Sequence, residues 1–268
     1  MFLAKVFSRY SYLQKVRDEP QIIYEDKNFL AVNKPAGLLV HKATSSKKQE
    51  TRKKGEETGK EKTEPTLADW ILKKYPETKE VGENPDRPGI VHRLDKLTSG
   101  VMLIAKNRAY YEYLGNLFRD HAIKKKYLAV VYGKITKAEG VIDKPIGVVT
   151  GSTKRSVHSG KMSKTAITEY KVRKNFHFGN RDYTLVEVAP KTGRTHQIRI
   201  HLASIGHSIL GDNLYGRKKT EETGLGKLQR HFLHADSLEF NTAPGRRIKI
   251  SADLPDDFKR LIAELSTL

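Results

Sequence analysis

Residues 101–105, Val-Met-Leu-Ile-Ala, and 128–131, Leu-Ala-Val-Val, are apolar at every position. A strand turns alternate residues to opposite faces. Read as strands, both runs are therefore apolar on two sides and belong inside a sheet that is covered on both faces. That requirement constrains the fold more than any other feature of the 268-residue chain. The segments around them supply the neighbours. QIIYEDKNFLAVNKPAG, from Gln21, reads as two short strands broken at Glu25-Asp26-Lys27 and closed by a Pro-Ala-Gly turn. TAITEYKVRKNF and DYTLVEVAP form an antiparallel pair about Gly179-Asn180, and RRIKISADL is a late strand.

Helices fall between them at irregular intervals. Thr66 caps TLADWILKKY, with Asp69 three residues on as a short capping box and Leu67, Trp70 and Ile71 on one face. Arg108 to Asp120 is a second helix. Thr195 to Ser204 is a third, with Ile198, Leu202 and Ile205 on one side. Pro255 opens a last one, with Asp256 and Asp257 where the helix dipole favours acids. Hairpin-clustered strands with scattered helices predict an α+β domain: a mixed, mostly antiparallel central sheet flanked by helices and loops.

The domain is expected to run from residue 21 to 268. Residues 1–20 read as a basic arm whose first 17 residues carry four basic side chains and no acid. A mitochondrial presequence has the same composition, so that compartment stands beside the cytoplasm. Residues 45–64 contain no apolar side chain and hold seven basic and five acidic ones, a polar flexible insertion that cannot bury anything.

The charge balance points to a polyanion. Lys and Arg outnumber Asp and Glu by 50 to 31, a formal +19, and nucleic acid is the natural partner of such a surface. The absence of cysteine excludes thiolate metal sites, iron–sulfur clusters, disulfides and a thiol nucleophile. No stretch of 18 apolar residues spans a membrane. Dinucleotide, Walker, zincin and nucleophile-elbow motifs are all missing, and His196, His201 and His207 have no acid or Cys at ligand spacing.

Unusual residues gather in three places. In GIVHRLDKLTSG, Asp95 lies between Arg93 and Lys96 in a loop just before a buried strand, where function concentrates. In KKKYLA, three lysines meet Tyr127 at the mouth of a strand, able to hold phosphate and stack a base. In KTGRTHQIRIH, cationic and amide donors open a helix, suited to an anion. The same residues also suit an Asx turn, a solvated lysine run and a basic helix face, and patterning alone leaves both readings open.

Taken in order, the strings resemble a known family. GIVHRLDKLTSGVMLIAKN resembles the catalytic motif of the RluA family of pseudouridine synthases, with its HRLD-x-x-TSG core complete. KKYLAVVYG is similar to that family's tyrosine-bearing strand, GRTHQIRIHLASIGHSILGDNLYG to its third motif, and FLHADSLEF to its late one. The resemblance implies the pseudouridine synthase catalytic fold. It also implies an enzyme that flips a uridine from structured RNA, ribosomal or transfer, and isomerises it as a monomer without metal or cofactor. It assigns Asp95 as the catalytic carboxylate, Arg199 as its paired arginine and Tyr127 as the active-site ring. Arg93 is placed to brace the space a flipped base vacates. His92, Thr98, Arg194, His196 and Gln197 are carried over as substrate-binding. No S4-like RNA-binding domain is expected, and Ser208 and Asn241-Thr242 stand where relatives often carry prolines. An RNA-remodelling protein and a nucleoside hydrolase using Asp95 against water are the competing uses of the same residues.

Overall fold

A computed structural model describes residues 19–42, 64–149, 154–157, 161–216, 225, 228–243 and 245–267. The basic arm and the polar insertion, apart from their last residues, lie outside the described residues. In chain order the strands are β1 (Gln21–Glu25), β2 (Phe29–Lys34), β3 (Ser99–Ala105), β4 (Lys124–Tyr132), β5 (Glu139–Asp143), β6 (Ile146–Val148), β7 (Arg155–Ser156), β8 (Lys161–Lys164), β9 (Ile167–Phe178), β10 (Arg181–Pro190), β11 (Leu233–Ala243) and β12 (Arg246–Ser251). The helices are α1 (Leu67–Lys74), α2 (Arg108–Arg119), α3 (Gln197–Ser204) and α4 (Asp256–Leu265).

The two continuous apolar runs lie inside the sheet, as their patterning requires. Nine strands form it in the order β1-β2-β3-β11-β4-β10-β9-β5, with β12 added against β11. Every pairing is antiparallel except β3 with β11. All seven residues of β3 are buried, and its alternate side chains feed two cores. Met102 and Ile104 pack with α1 residues Leu67 and Ile71; Val101 and Leu103 pack with Leu114 of α2. At the other end, Val186 and Val188 meet Ile198 and Leu202 of α3, while Tyr183 and Val130 meet Phe258 and Leu261 of α4. β6, β7 and β8 make a separate small sheet resting on Ala166, Ile200 and Tyr215.

The parallel pairing of β3 with β11 sets the active face. Ala235 of β11 is level with Gly100 on one side and with Tyr127 of β4 on the other. At Gly100 φ is +115°, and a Cβ would stand 2.2 Å from the Ala235 carbonyl oxygen. Only glycine permits that approach. Asp95, five residues before Gly100, is thereby brought to the same end of the sheet as Tyr127. β10 pairs with β4 at Val188 and Tyr127 and delivers α3 to that end.

The sequence reading differs from the structure in two respects. α3 begins at Gln197 rather than Thr195, because His196 adopts a left-handed conformation, φ 58°, and breaks the helical path before it. His196 is thus the N-cap of α3 rather than a residue within it. Strands β5 to β8 carry no legible pattern, since they are only two to five residues long.

Candidate active site

Asp95 sits in a tight turn, Thr98 N donating to its carbonyl at 3.1 Å, at the edge of an open cavity. Four contacts fix that turn from below. Gly37 N donates to the Lys96 carbonyl at 2.8 Å and the Lys34 ammonium donates to the same oxygen at 3.2 Å. Thr98 Oγ1 lies 2.8 Å from His231 Nε2, and Ser99 Oγ lies 2.9 Å from His234 Nδ1. Lys34 is fully buried, and also donates to the Pro35 and Leu38 carbonyls at 2.8 and 2.9 Å. It holds three carbonyls from two loops on one nitrogen.

Burial, seconded by the Arg230 charge, brings the Lys34 ammonium down to about 7. The unfolded chain keeps that proton up to the ordinary lysine range, so unfolding takes up a proton between the two values. Stability is therefore expected to rise between about pH 7 and 9.5 by an amount on the order of a few kcal/mol. Urea unfolding across that window is expected to show the rise in the parent protein and a clearly smaller one in Lys34→Met.

Arg199 comes from the first turn of α3 and is buried. Its Nε and Nη2 grip Asp212 Oδ2 and Oδ1 at 2.7 and 2.8 Å, a bidentate pair, while Nη1 donates to Asp95 Oδ2 at 2.9 Å. Asp212 Oδ1 also accepts from the backbone of Leu214 and Tyr215 at 2.9 and 3.0 Å. Burial works against its charge, but these donors and the guanidinium outweigh it and hold the carboxyl below its usual range. The Tyr215 ring stacks at 5.1 Å from the guanidinium carbon. Arg199 is thereby locked from behind, and one N–H points forward onto Asp95. The side chain of Asp95 keeps 26% of its surface exposed, and its Oδ1 has no hydrogen-bond donor among the described residues. His196 Nε2 is 3.8 Å from that oxygen.

Tyr127 forms the adjoining wall. Burial first, and then the nearby Asp95 carboxylate, push its phenol above the ordinary range, so it is neutral at physiological pH. His196 Nδ1 meets the Tyr215 hydroxyl at 2.9 Å, and burial lowers its affinity for a proton. Arg93 and Arg194 stand at the cavity edge. Arg93 is exposed with Nη1 3.5 Å from His41 Nε2, and Arg194 Nε donates to the Thr165 carbonyl at 3.1 Å.

Three carried-over residues have other attachments. Gln197 touches the cavity, but both lone pairs and both N–H groups of its amide are taken. Its oxygen accepts from Thr192 Oγ1 and Arg194 N, and its nitrogen donates to Ile167 O and Thr168 Oγ1. It braces the 191–196 loop. Thr98 also reaches the cavity, with its hydroxyl engaged by His231. His92 is not brought to the cavity lining. Its ring stacks on Phe118 of α2 at 4.3 Å, its Nε2 accepts from Leu103 N at 2.9 Å, and burial pushes it down to about 3. It ties the HRLD loop to β3 and α2.

Asp212 and Lys34 were not singled out from the sequence. Each lies in a quoted string, GDNLYG and NKPAG, where an acid or a lysine beside Gly or Pro reads as turn solvation. Among the described residues no group of three His, Asp or Glu side chains forms a metal site.

A family model described as RNA pseudouridylate synthase matches residues 28–204. An RNA pseudouridine synthase of Bacillus subtilis is 37% identical over 245 residues, covering 91% of this chain and 72% of the relative. The ribosomal large subunit pseudouridine synthase D of Zymomonas mobilis is 34% identical over 258 residues, covering 92% and 75%. That of Haemophilus ducreyi is 35% identical over 269 residues, covering 95% and 74%. Among solved structures, human RNA pseudouridylate synthase domain containing 4 superposes with a TM-score of 0.67 at 26% identity, covering 91% of this chain and 92% of the other. Human RNA pseudouridylate synthase domain containing 1 shares the fold, with a TM-score of 0.66 at 21% identity over 94% and 97% of the two chains.

Proposed function

Since this chain belongs to the RNA pseudouridylate synthase family, and is accordingly an enzyme that isomerises uridine in RNA to pseudouridine, we propose that its substrate is ribosomal RNA of the large subunit and that Asp95 carries the chemistry. The names of the relatives from Zymomonas and Haemophilus support the substrate. One geometric observation supports the residue: Asp95 lines a cavity walled by Tyr127, with Oδ2 held by Arg199 and Oδ1 without a hydrogen-bond donor among the described residues.

The isomerisation breaks the ribose C1′–N1 bond, rotates the uracil and joins C1′ to C5; mass is unchanged. An ionised carboxylate assists whether it attacks C1′ or takes a proton from the sugar. In either case it needs one oxygen free and the other fixed. Arg199 does the fixing, its Nη1 donating to Oδ2. The target base must leave its stack to reach Oδ1, at a cost of a few kcal/mol. Tyr127, kept neutral, supplies a ring for the base to lie on rather than a phenolate base. Arg93 and Arg194 at the rim suit the flanking phosphates, and His196 closes the wall. His92, Thr98 and Gln197 act at one remove, holding the loops. One continuous main sheet from β1 to β12 supports reading residues 21–268 as one catalytic domain, with residues 45–64 as an insertion in it. A ribosomal RNA substrate suits the cytoplasm and the mitochondrion alike; no described helix is long and apolar enough to cross a membrane.

Incubating the purified protein with unmodified large-subunit ribosomal RNA and, separately, with transfer RNA tests this. Pseudouridine mapping is expected to show new sites in the ribosomal RNA. Product in transfer RNA alone overturns the substrate assignment, and free uracil among the products overturns the reaction in favour of hydrolysis.

A further inference from the structure

Cleavage of C1′–N1 leaves both electrons on the uracil, whose N1, O2 and O4 then share a negative charge. The fixed charges nearest that point are already negative in sum. Arg199 carries one positive charge between two carboxylates, Asp95 and Asp212. The histidines around them add nothing, since burial keeps His196 and His231 from protonating, the latter down to about 3. Tyr127 is neutral. A departing uracil anion therefore needs a cation from elsewhere.

Three cations besides Arg199 line the cavity: Arg93, Arg194 and Lys125. Arg93 is exposed, and Arg194 spends its Nε on a carbonyl across the rim. Lys125 differs from both. It lies two residues before Tyr127 on β4. Alternate residues share a face, so the two side chains rise from one side of the strand about 6.6 Å apart. A lysine stem spans such a distance to a base lying on the Tyr127 ring. The side chain is half-buried, and burial lowers its proton affinity. It has no carboxylate partner; its ammonium reaches only the Thr192 carbonyl, at 3.5 Å. Its neighbour Lys126, by contrast, pairs with Glu187 at 3.1 Å, and Lys124 is exposed. Of three consecutive lysines, one alone faces the cavity, unpaired and partly stripped of water.

We propose that Lys125 is a further catalytic residue, an ammonium that hydrogen-bonds a carbonyl oxygen of the target uracil and holds the negative charge the base acquires while detached from the ribose. It rests on the reading of the cavity as the site of uridine isomerisation. Lys125 keeps its proton throughout. The electron pair goes to the base as C1′–N1 breaks and returns to C1′ as C1′–C5 forms. The C5 proton is then lost and N1 takes one up, so no net proton passes through the lysine. A cation placed where charge develops acts on the transition state more than on the ground state.

Single-turnover rates and RNA dissociation constants for Lys125→Gln and Lys125→Arg test this, with thermal unfolding run alongside. The glutamine variant is expected to react about 10²-fold more slowly with unchanged affinity for RNA, and the arginine variant to recover most of that rate. If Lys125→Gln instead weakens RNA binding, lowers the slope of log K against log salt by about one and reacts at the parental rate once saturated, Lys125 is a phosphate contact and the assignment is wrong. Should the glutamine variant not fold, the arginine variant decides, since full loss of rate in a folded Lys125→Arg protein with normal binding is also contrary to it. A parent protein that makes no pseudouridine in the same RNA defeats the underlying reading, a result distinct from either.

Discussion

Asp95→Asn yields a folded protein that binds RNA as tightly as the parent and makes no detectable pseudouridine. The two side chains are nearly isosteric, and an amide oxygen in the position of Oδ2 still accepts from Arg199 Nη1. The loop is held by its backbone and by Lys34, Thr98 and Ser99 rather than by the carboxylate itself. The loss of fold stability is expected to stay within about 1 kcal/mol, the usual range for partly exposed polar sites. Chemistry is another matter. A neutral amide neither attacks C1′ nor takes a proton from the sugar, and loss of such a group costs on the order of 10⁴-fold or more. Removing a negative charge beside a polyanion does not weaken binding, so affinity and rate separate cleanly. Quantified pseudouridine from purified variant and RNA decides it: turnover within tenfold of the parent rate removes Asp95 from the chemistry. Complementation with the same variant separates the enzyme from an RNA-remodelling protein, which would not need the carboxylate.

What was legible in the sequence was whatever repeats locally. The two-sided apolar runs of β3 and β4, the hairpin at Gly179, and the Thr66–Asp69 capping box each advertise themselves within about ten residues, and each is present in the structure. What was not legible depends on partners distant in the chain. Arg199 and Asp95 are 104 residues apart, and nothing periodic links them; only the resemblance to a family joined them. Asp212 looked like the acid of a Gly-Asp turn because its role lies in meeting a guanidinium 13 residues earlier across a helix start. Lys34 looked exposed because lysines usually are, and its burial follows from three carbonyls supplied by two loops. His92 was placed with its motif neighbours, yet its side chain points away toward Phe118 while Asp95 faces the cavity. Motif membership identifies a loop, and the packing around that loop decides which of its residues reach the cavity: Arg93, Leu94 and Asp95 line it, while His92 is held against Phe118.

Asp212→Asn tests whether that concealed acid matters as much as the visible one. The Asp212 side chain is fully buried and accepts four hydrogen bonds, two from Arg199 and two from backbone amides. An asparagine must set its NH₂ against one of those donors, and it leaves the buried guanidinium with Asp95 as its sole counter-charge. Breaking a buried pair from one side costs about 3–5 kcal/mol, and urea unfolding at neutral pH is expected to show a loss of that order. The rate falls too, for a geometric reason. Freed from behind, Arg199 is drawn onto both oxygens of Asp95, and Oδ1 is no longer open to the sugar. A loss of about 10²–10³-fold is expected, as for a displaced preorganised donor, with RNA binding retained. The pH dependence gives a signature that simple misfolding lacks. Asp212 is held below the ordinary carboxyl range in the folded state, so its contribution is complete above the unfolded value near 4 and is lost as pH falls through the folded value. The parent therefore loses stability on acidification over that window, and the asparagine variant loses less. If the variant instead keeps parental stability and rate, Arg199 is positioned by α3 and Tyr215 alone, and the relay from Asp212 through Arg199 to Asp95 has no energetic content.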